Sequence, residues 1–368
     1  MINKEIITNK TIFNQIDKAL NEYFLKSESM LIKGFPWIVV LSFHEVYRHL
    51  YPIEPYIDND SITDTKKPQH ILNLLRNQLN LYSTIETGFA PYENMFMEKL
   101  DDNFNDTKDL SIENSTHTLY GNLWESFTLK DIIEEPKILL EKRINTPSFS
   151  LDELNNQTVL DLGCGSGRYT LALSTYGCKS VIGYDMGEQG LQVGKSIVKK
   201  YKLSNVTFKK GNVLDLPFNE NHFDFIFCNG VLHHTTNMEK GLKELYRVLK
   251  PGGQSFLYLY AARGLFWDFR ERAREIFKKI PRKYAQYVLD MIGLPSNRFI
   301  FMDTWYVPIE RYTTRDELEK ILKIDISFKS VEKLISQNTT DLESYINNDR
   351  PFSKELYGDG EHRYLLMK

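Results

Sequence analysis

The residues best placed to do chemistry lie in Val159-Leu160-Asp161-Leu162-Gly163-Cys164-Gly165-Ser166-Gly167-Arg168. An apolar run ends in alternating glycines, and a helical pattern follows. Glycine lets the main chain turn tightly and lets a ligand approach it, and the start of a helix offers amide donors without partners. The next apolar run ends at Asp185, where an acid accepts hydrogen bonds from two ribose hydroxyls. The plain alternative is a tight turn with a helix-capping Asp. Strand, turn, helix, strand and acid all fall at the offsets of a ligand site, which favours the ligand.

Two later segments extend the pattern. In Gly211-Asn212-Val213-Leu214-Asp215-Leu216-Pro217-Phe218, Asn212 is placed to meet an adenine amino group, with Val213 beside the ring. Cys228-Asn229-Gly230-Val231-Leu232-His233-His234 closes a further apolar run. An unperturbed histidine titrates near roughly pH 6.5, so it can accept a proton at neutral pH. His233 and His234 are therefore the candidate general bases, against the alternative that they line the cavity or orient backbone. Adjacent side chains point different ways, so one base at most is expected. His44-Glu45 with His49 resembles a zinc-protease motif, but the histidines are five residues apart and fall on different helix faces. Cys164 and Cys178 lack metal-ligand spacing, so no metal is expected.

These residues need a scaffold, and alternating patterns supply one. Strands are predicted over Thr158 to Leu162, Ser180 to Asp185, Val206 to Lys209, Phe223 to Cys228 and Gln254 to Tyr260. Helices are predicted between them over Arg168 to Tyr176, Glu188 to Tyr201 and Met238 to Leu249. Such alternation argues for a parallel sheet with helices on both faces, ligands lying at the carboxyl ends of the strands. Before it, residues 11 to 26 and Pro68 to about Tyr82 read as amphipathic helices, and Trp37 to Phe43 as a strand or a helix start. Residues 129 to 144 read as a helix kinked at Pro136. Asp101 to Ser115 is polar and acidic, which places a boundary there. After the fifth strand, Leu265, Phe266, Phe269, Ala273, Ile276, Phe277 and Ile280 form an apolar stripe opposite Arg270, Arg272, Arg274, Lys278 and Lys279. A cap helix with a solvated outer face is expected, ahead of a membrane-surface helix. Arg263, Trp267, Arg298, Trp305 and Tyr306 are its acceptor-pocket candidates, because aromatics and arginines suit a planar or anionic small molecule.

Composition narrows the function classes. The 368 residues suit one large domain or two. Lys and Arg number 46 against 49 Asp and Glu, so no basic excess favours nucleic acid. Three cysteines, none in a Cys-x-x-Cys pair, argue against a disulfide scaffold and for reduced, intracellular thiols. The longest apolar stretch, Gly34 to Phe43, falls well short of the roughly 20 residues of a membrane span. The start, MINKEIITNK, lacks a signal peptide's apolar core, so a cytoplasmic location is expected.

A GxG turn alone also serves nicotinamide and flavin enzymes, but here Arg168 stands where the dinucleotide fingerprint has its final glycine. The set DLGCGSGR, YD, GNVLDLPF, CNGVLHH and LKPGG, in that order, resembles the class I S-adenosylmethionine-dependent methyltransferases. The resemblance covers residues 120 to 368 and implies a Rossmann-like, doubly wound, mostly parallel seven-stranded α/β sheet. A mainly helical accessory region would occupy residues 1–115 and the methyltransferase domain 116–368, with a cap over 264–310. The resemblance also implies roles. Asp161, Gly163 and Gly165 would hold the methionine moiety and Gly167 would shape the turn. Asp185 would take the ribose, Met186 and Val213 would flank the adenine, and Asn212 stands where the family more often has Asp. Cys228 and Asn229 would line the floor, with Tyr120 or Trp124 covering the cofactor. S-adenosylmethionine would be consumed and S-adenosylhomocysteine released. The expected partner is a small-molecule acceptor, such as one of secondary metabolism. The competing readings are an RNA or protein methyltransferase that recognises its substrate through the N-terminal region, and a non-catalytic cofactor-binding partner module.

Overall fold

Apolar spacing carries directly into the helices of the computed structural model, which describes residues 2–51, 64–89, 133–144, 146–293, 304–337, 341–348 and 350–368. Tyr120, Trp124 and Arg298 lie outside the described residues. The first helices are α1 (Ile2–Ile32), α2 (Pro36–Leu50) and α3 (Lys67–Phe89). Next come α4 (Glu135–Ile144), β1 (Thr158–Leu162), α5 (Arg168–Ser174), β2 (Ser180–Asp185), α6 (Glu188–Tyr201) and β3 (Val206–Lys210). They are followed by β4 (Phe223–Asn229), α7 (Met238–Val248), β5 (Leu249–Tyr260), α8 (Leu265–Phe277) and α9 (Arg282–Met291). The chain ends with α10 (Arg315–Lys320), β6 (Ser330–Lys333), α11 (Leu342–Asn347), α12 (Ser353–Tyr357) and β7 (Glu361–Met367).

Two compact units divide these elements. One gathers Met1–Asp109, Arg263–Tyr306 and Asp349–Gly358, and the other Leu110–Ala262, Val307–Asn348 and Asp359–Lys368. The helical unit is held by aromatic packing. Phe43 meets Tyr23 at 5.0 Å, Phe269 at 5.6 Å and Phe277 at 5.5 Å between ring centroids. The stretch from Trp37 to Phe43 is helical because Pro36 starts the helix and Val39, Val40, Phe43, Val46, Tyr47 and Leu50 then bury one face. The helices expected as a cap over 264–310 therefore share a core with α1 and α2. Their basic face is only partly the solvated surface expected, with Lys278 and Lys279 exposed but two arginines enclosed. Arg270 and Arg274 are 5% and 8% exposed. Arg274 donates to the Thr304 carbonyl at 3.2 Å, and Arg270 lies over the Trp267 ring. The face that α8 leaves exposed carries Asp268, Glu271 and Glu275, so a basic membrane-surface helix does not describe it. No helix among the described residues is long and apolar enough to cross a membrane.

In the other unit the seven strands run in the order β3-β2-β1-β4-β5-β7-β6. All neighbours are parallel except β7, which is antiparallel to β5 and β6. Alternate residues feed two cores. Leu160, Leu162, Ile226, Cys228 and Leu257 face Leu242 and Leu245 of α7. Val159, Val181, Phe225, Phe227 and Phe256 face Leu140 of α4 and Leu173 of α5. Strands buried on both faces read as continuous apolar runs, which explains their sequences. The strand order reverses between β1 and β4, opening a crevice at their carboxyl ends.

Three details differ from expectation. Pro136 lies in the first turn of α4, just after the π-helical Ile133 and Glu134, so the regular α-helix starts beside the proline and does not run through it. Leu249 already pairs with Phe223, and the register slips through Lys250-Pro251-Gly252-Gly253 before resuming at Gln254, so β5 starts earlier. The edge strand β6 has only four residues, mostly half-exposed, and lacks an apolar signature.

A buried ionic cluster ties β7 to α11 and α4. Arg363, 1% exposed, pairs with Glu343, with Glu361 at 2.8 Å and with Asp341 at 3.4 Å. Arg143 reaches Asp341 through two bonds, and Tyr258 donates to Glu361 at 2.5 Å. Removing one member leaves opposite charges buried without compensation. Arg363→Met is therefore expected to lower stability by about 3–5 kcal/mol. Lys278→Met, at a surface pair, should change it little. Urea unfolding of the two variants checks this.

Candidate active site

The glycine turn leaves β1 at Leu162 and becomes α5 at Arg168. The Gly163 and Cys164 amides both donate to the Tyr184 carbonyl, at 2.8 and 3.2 Å, and so tie the turn to β2. Two of the glycines are required by protein neighbours. A Cβ on Gly163 (φ +79°) would lie 2.3 Å from a Val231 methyl, and one on Gly167 (φ +83°) 2.3 Å from the Phe208 ring. The first contact brings the loop after β4 against the turn.

Asp185 ends β2 and is 8% exposed. One carboxylate oxygen accepts from the Gly165 amide and the other from the Gly187 amide, each at 2.8 Å. The ligand residue expected from sequence is thus also the clamp that holds the turn. Gly187, two residues after the acid, was the available signal for that second role. Asp161 sits under the same turn, 3% exposed, and accepts from Thr170 Oγ1 at 2.6 Å. Burial pushes its carboxyl up to about 7; the Thr170 bond opposes this and the Asp185 charge adds to it. No basic side chain is among the groups that shift it. Two carboxylates beside one glycine turn suit a cationic ligand with ribose hydroxyls, so the residues fit S-adenosylmethionine. Thr170 was not anticipated.

The other residues expected at the cofactor occupy varied settings. Met186 and Asn229 are half-buried at the ends of β2 and β4. Asn212 is exposed, and its Oδ1 accepts from the Leu214 amide at 2.9 Å, which closes a turn. Val213 and Cys228 are buried in the sheet core, and burial raises the Cys228 thiol far above its usual range. Of the Cys228-Asn229 pair, Asn229 is the reachable one.

Beyond β4, Gly230 (φ +76°) turns the chain into a short 3₁₀ turn over Leu232–His234. The two histidines part ways there. His233 is fully buried and stacks on Tyr260, with ring centroids 3.8 Å apart. Its Nδ1 accepts from the Tyr260 amide at 3.4 Å. His234 is half-buried, and its Nδ1 lies 2.8 Å from the Ile309 carbonyl. A carbonyl can only accept, so Nδ1 carries a proton, and in the neutral ring the lone pair is then on Nε2. The stretch around Ile309 is stitched in place by Arg311, whose amide donates to the His233 carbonyl at 2.9 Å. Thr313 forms a bridge with Ala261. The stretch carries no regular pattern and lies far along the chain from His234, so sequence reasoning missed it.

The expected acceptor residues lie in the helical unit. Trp305, 2% exposed, packs on Phe277 at 4.9 Å and Tyr47 at 5.3 Å. Trp267 is 3% exposed beside Phe266. Tyr306 is half-buried and donates to the Ile280 carbonyl at 3.1 Å, while Arg263 is exposed. The two tryptophans are core residues of their unit.

Comparison with known proteins gives the family. The profile described as "Methyltransferase domain" matches residues 153–292. The chain is 30% identical over 182 residues to a demethylmenaquinone methyltransferase of Staphylococcus epidermidis, covering 48% of this chain and 69% of that protein. It is 30% identical over 209 residues to a tRNA U34 carboxymethyltransferase of Campylobacter curvus, covering 55% of this chain and 66% of that protein. It thus spans about two thirds of the length of these relatives. The solved YcgJ protein of Bacillus subtilis aligns at 20% identity and a TM-score of 0.39, over 63% of this chain and 94% of that one. The strand order carries the fold by itself, and with the profile and the Staphylococcus relative it establishes that this chain belongs to the class I S-adenosylmethionine-dependent methyltransferases.

Proposed function

We propose that the chain transfers a methyl group from S-adenosylmethionine to a small-molecule acceptor at the carboxyl ends of β4 and β5, with His234 as the general base. The observation that carries this is the Nδ1 bond of His234 to the Ile309 carbonyl, which leaves Nε2 as the proton acceptor. The cofactor, when bound, supplies a methyl carbon already activated by a sulfonium. The protein's part is then to hold the ligands, align the acceptor and remove its proton where it has one to lose. Asp185 would hold the ribose hydroxyls, and Asp161 would hold the cofactor's cationic amino-acid end. His233, buried against Tyr260, orients the turn that carries His234. The balanced charge supports a small molecule, as does the relative named for demethylmenaquinone. The relative named for tRNA supports an RNA acceptor as the second reading. The three free cysteines suit a cytoplasmic location. We assign the accessory role expected for residues 1–115 to the whole helical unit.

Methyl-labelled cofactor incubated with a cell extract tests the reading. Label is expected in the small-molecule fraction, and His234→Ala should slow its transfer by about 10²–10⁴ while cofactor binding persists. Label confined to RNA would replace the proposal with the second reading. A His234→Ala enzyme as fast as wild type would remove the base.

Asp185→Asn keeps the side chain's shape but loses its charge and one of the two acceptors that hold the Gly165 and Gly187 amides. Cofactor affinity should fall by about 2–4 kcal/mol, roughly 30- to 800-fold, in calorimetric titration. Unchanged affinity in a folded variant contradicts the ribose role.

Asp161 gives a pH test. Its carboxyl is raised to about 7, so the folded chain holds the proton more tightly than the unfolded chain does. Stability is therefore greatest below the ordinary carboxylate range and falls as pH rises toward 7. Asp161→Asn should abolish that fall and raise cofactor-free stability at pH 8 by about 1–2 kcal/mol. It should also weaken cofactor binding by about tenfold or more. Thermal melts from pH 5 to 8, with and without cofactor, read both effects.

A further inference from the structure

We propose that Tyr260 and Tyr312 form an aromatic wall that selects a planar, hydroxylated ring as the acceptor, with Glu310 as the residue that positions Tyr312. This deepens the small-molecule reading above and rests on it. Tyr260 ends β5, at the same edge of the sheet as His234. His233 covers one face of its ring at 3.8 Å. The Tyr312 ring lies 6.5 Å from that of Tyr260 and 17° from parallel. The Tyr312 phenol donates to the Glu310 carboxylate, which fixes the ring's orientation. The His234 ring stands 5.5 Å from that of Tyr260 and nearly perpendicular to it, at 87°. Tyr260, Tyr312, Glu310 and His234 are all half-buried, so each keeps a reachable surface.

The arrangement suits a flat ligand. Two near-parallel rings favour a third aromatic plane over an aliphatic one, because stacking adds to the burial of apolar area. A hydroxyl on such a ring lies in the ring plane and leaves its edge, where a base beside the wall can take the proton. Backing by His233 and anchoring by Glu310 limit the rotation of both tyrosines, which reduces the ordering cost on binding.

The test uses the full chain saturated with S-adenosylhomocysteine, titrated with 2-hydroxy-1,4-naphthoquinone as a planar probe and cyclohexane-1,4-diol as a non-planar one. Wild type should bind the planar probe in preference. Tyr312→Ala and Tyr260→Ala should weaken it by about tenfold, and Tyr312→Phe by no more than about threefold. Glu310→Gln, which disturbs the same hydrogen bond, should weaken it by no more than Tyr312→Phe does. Tyr312→Leu keeps much of the side-chain bulk without the ring, and should behave as Tyr312→Ala does. Unchanged S-adenosylhomocysteine affinity shows that each variant is folded. Equal binding of the planar probe by wild type and a folded Tyr312→Leu or Tyr312→Ala protein overturns the inference, as does a wild-type preference for the non-planar diol. Either result with methyl label still entering small molecules sinks the aromatic wall alone. Label entering only RNA sinks the reading beneath it.

Discussion

The carboxylate of Asp185 is the point on which the site turns. It takes the Gly165 amide with one oxygen and the Gly187 amide with the other. Hydrogen bonds to an ionised carboxylate are stronger than neutral ones, so two loops that leave neighbouring strands are locked to one atom group. Once that turn is placed, Gly163 presents a flat surface to Val231 and Gly167 another to Phe208. The positions of the β3 and β4 ends relative to the turn follow from those contacts. The residue expected to bind the ligand and the structural clamp are the same side chain. The loop is therefore held ready before any ligand arrives, and less ordering remains to oppose binding.

At the histidine turn, the proposed acceptor side, the decisive quantity is the direction of a proton. Adjacent histidines of identical chemistry are separated by their partners. The Tyr260 amide makes Nδ1 of His233 an acceptor, and the Ile309 carbonyl makes Nδ1 of His234 a donor. One ring is enclosed and stacked, while the other keeps a lone pair near solvent. Backbone groups do the sorting, so the assignment depends on main-chain geometry and not on a third charged residue.

Much of the cofactor side was legible because it is local. Asp161, the glycines and Asp185 fall within two strands and a turn, and the spacing of such a unit is written in adjacent residues. Helices α1 and α3 were legible from apolar spacing for the same reason. What escaped was set by distance or by coverage. Nothing near His234 announces Ile309. β6 is too short and too exposed for an alternating pattern. Arg270 and Arg274 looked like a solvated face because charge normally marks one, yet Thr304 and the Trp267 ring receive them. Trp305 read as a pocket aromatic and is a core one.

The helical unit is assembled from three separated stretches of chain, and β7 inserts between β5 and β6 only after the last of them. During synthesis α1 to α3 therefore emerge long before Phe269, Phe277 and Trp305 arrive to complete their core. β6 likewise waits for a neighbour made later. Both units finish together, near the end of the chain. A ribosome-bound intermediate would carry exposed aromatic surface through most of translation, the condition in which chaperones bind. For the same reason neither unit is a contiguous piece that can be cut out. A chain begun after residue 115 would leave those aromatics without the helices that cover them.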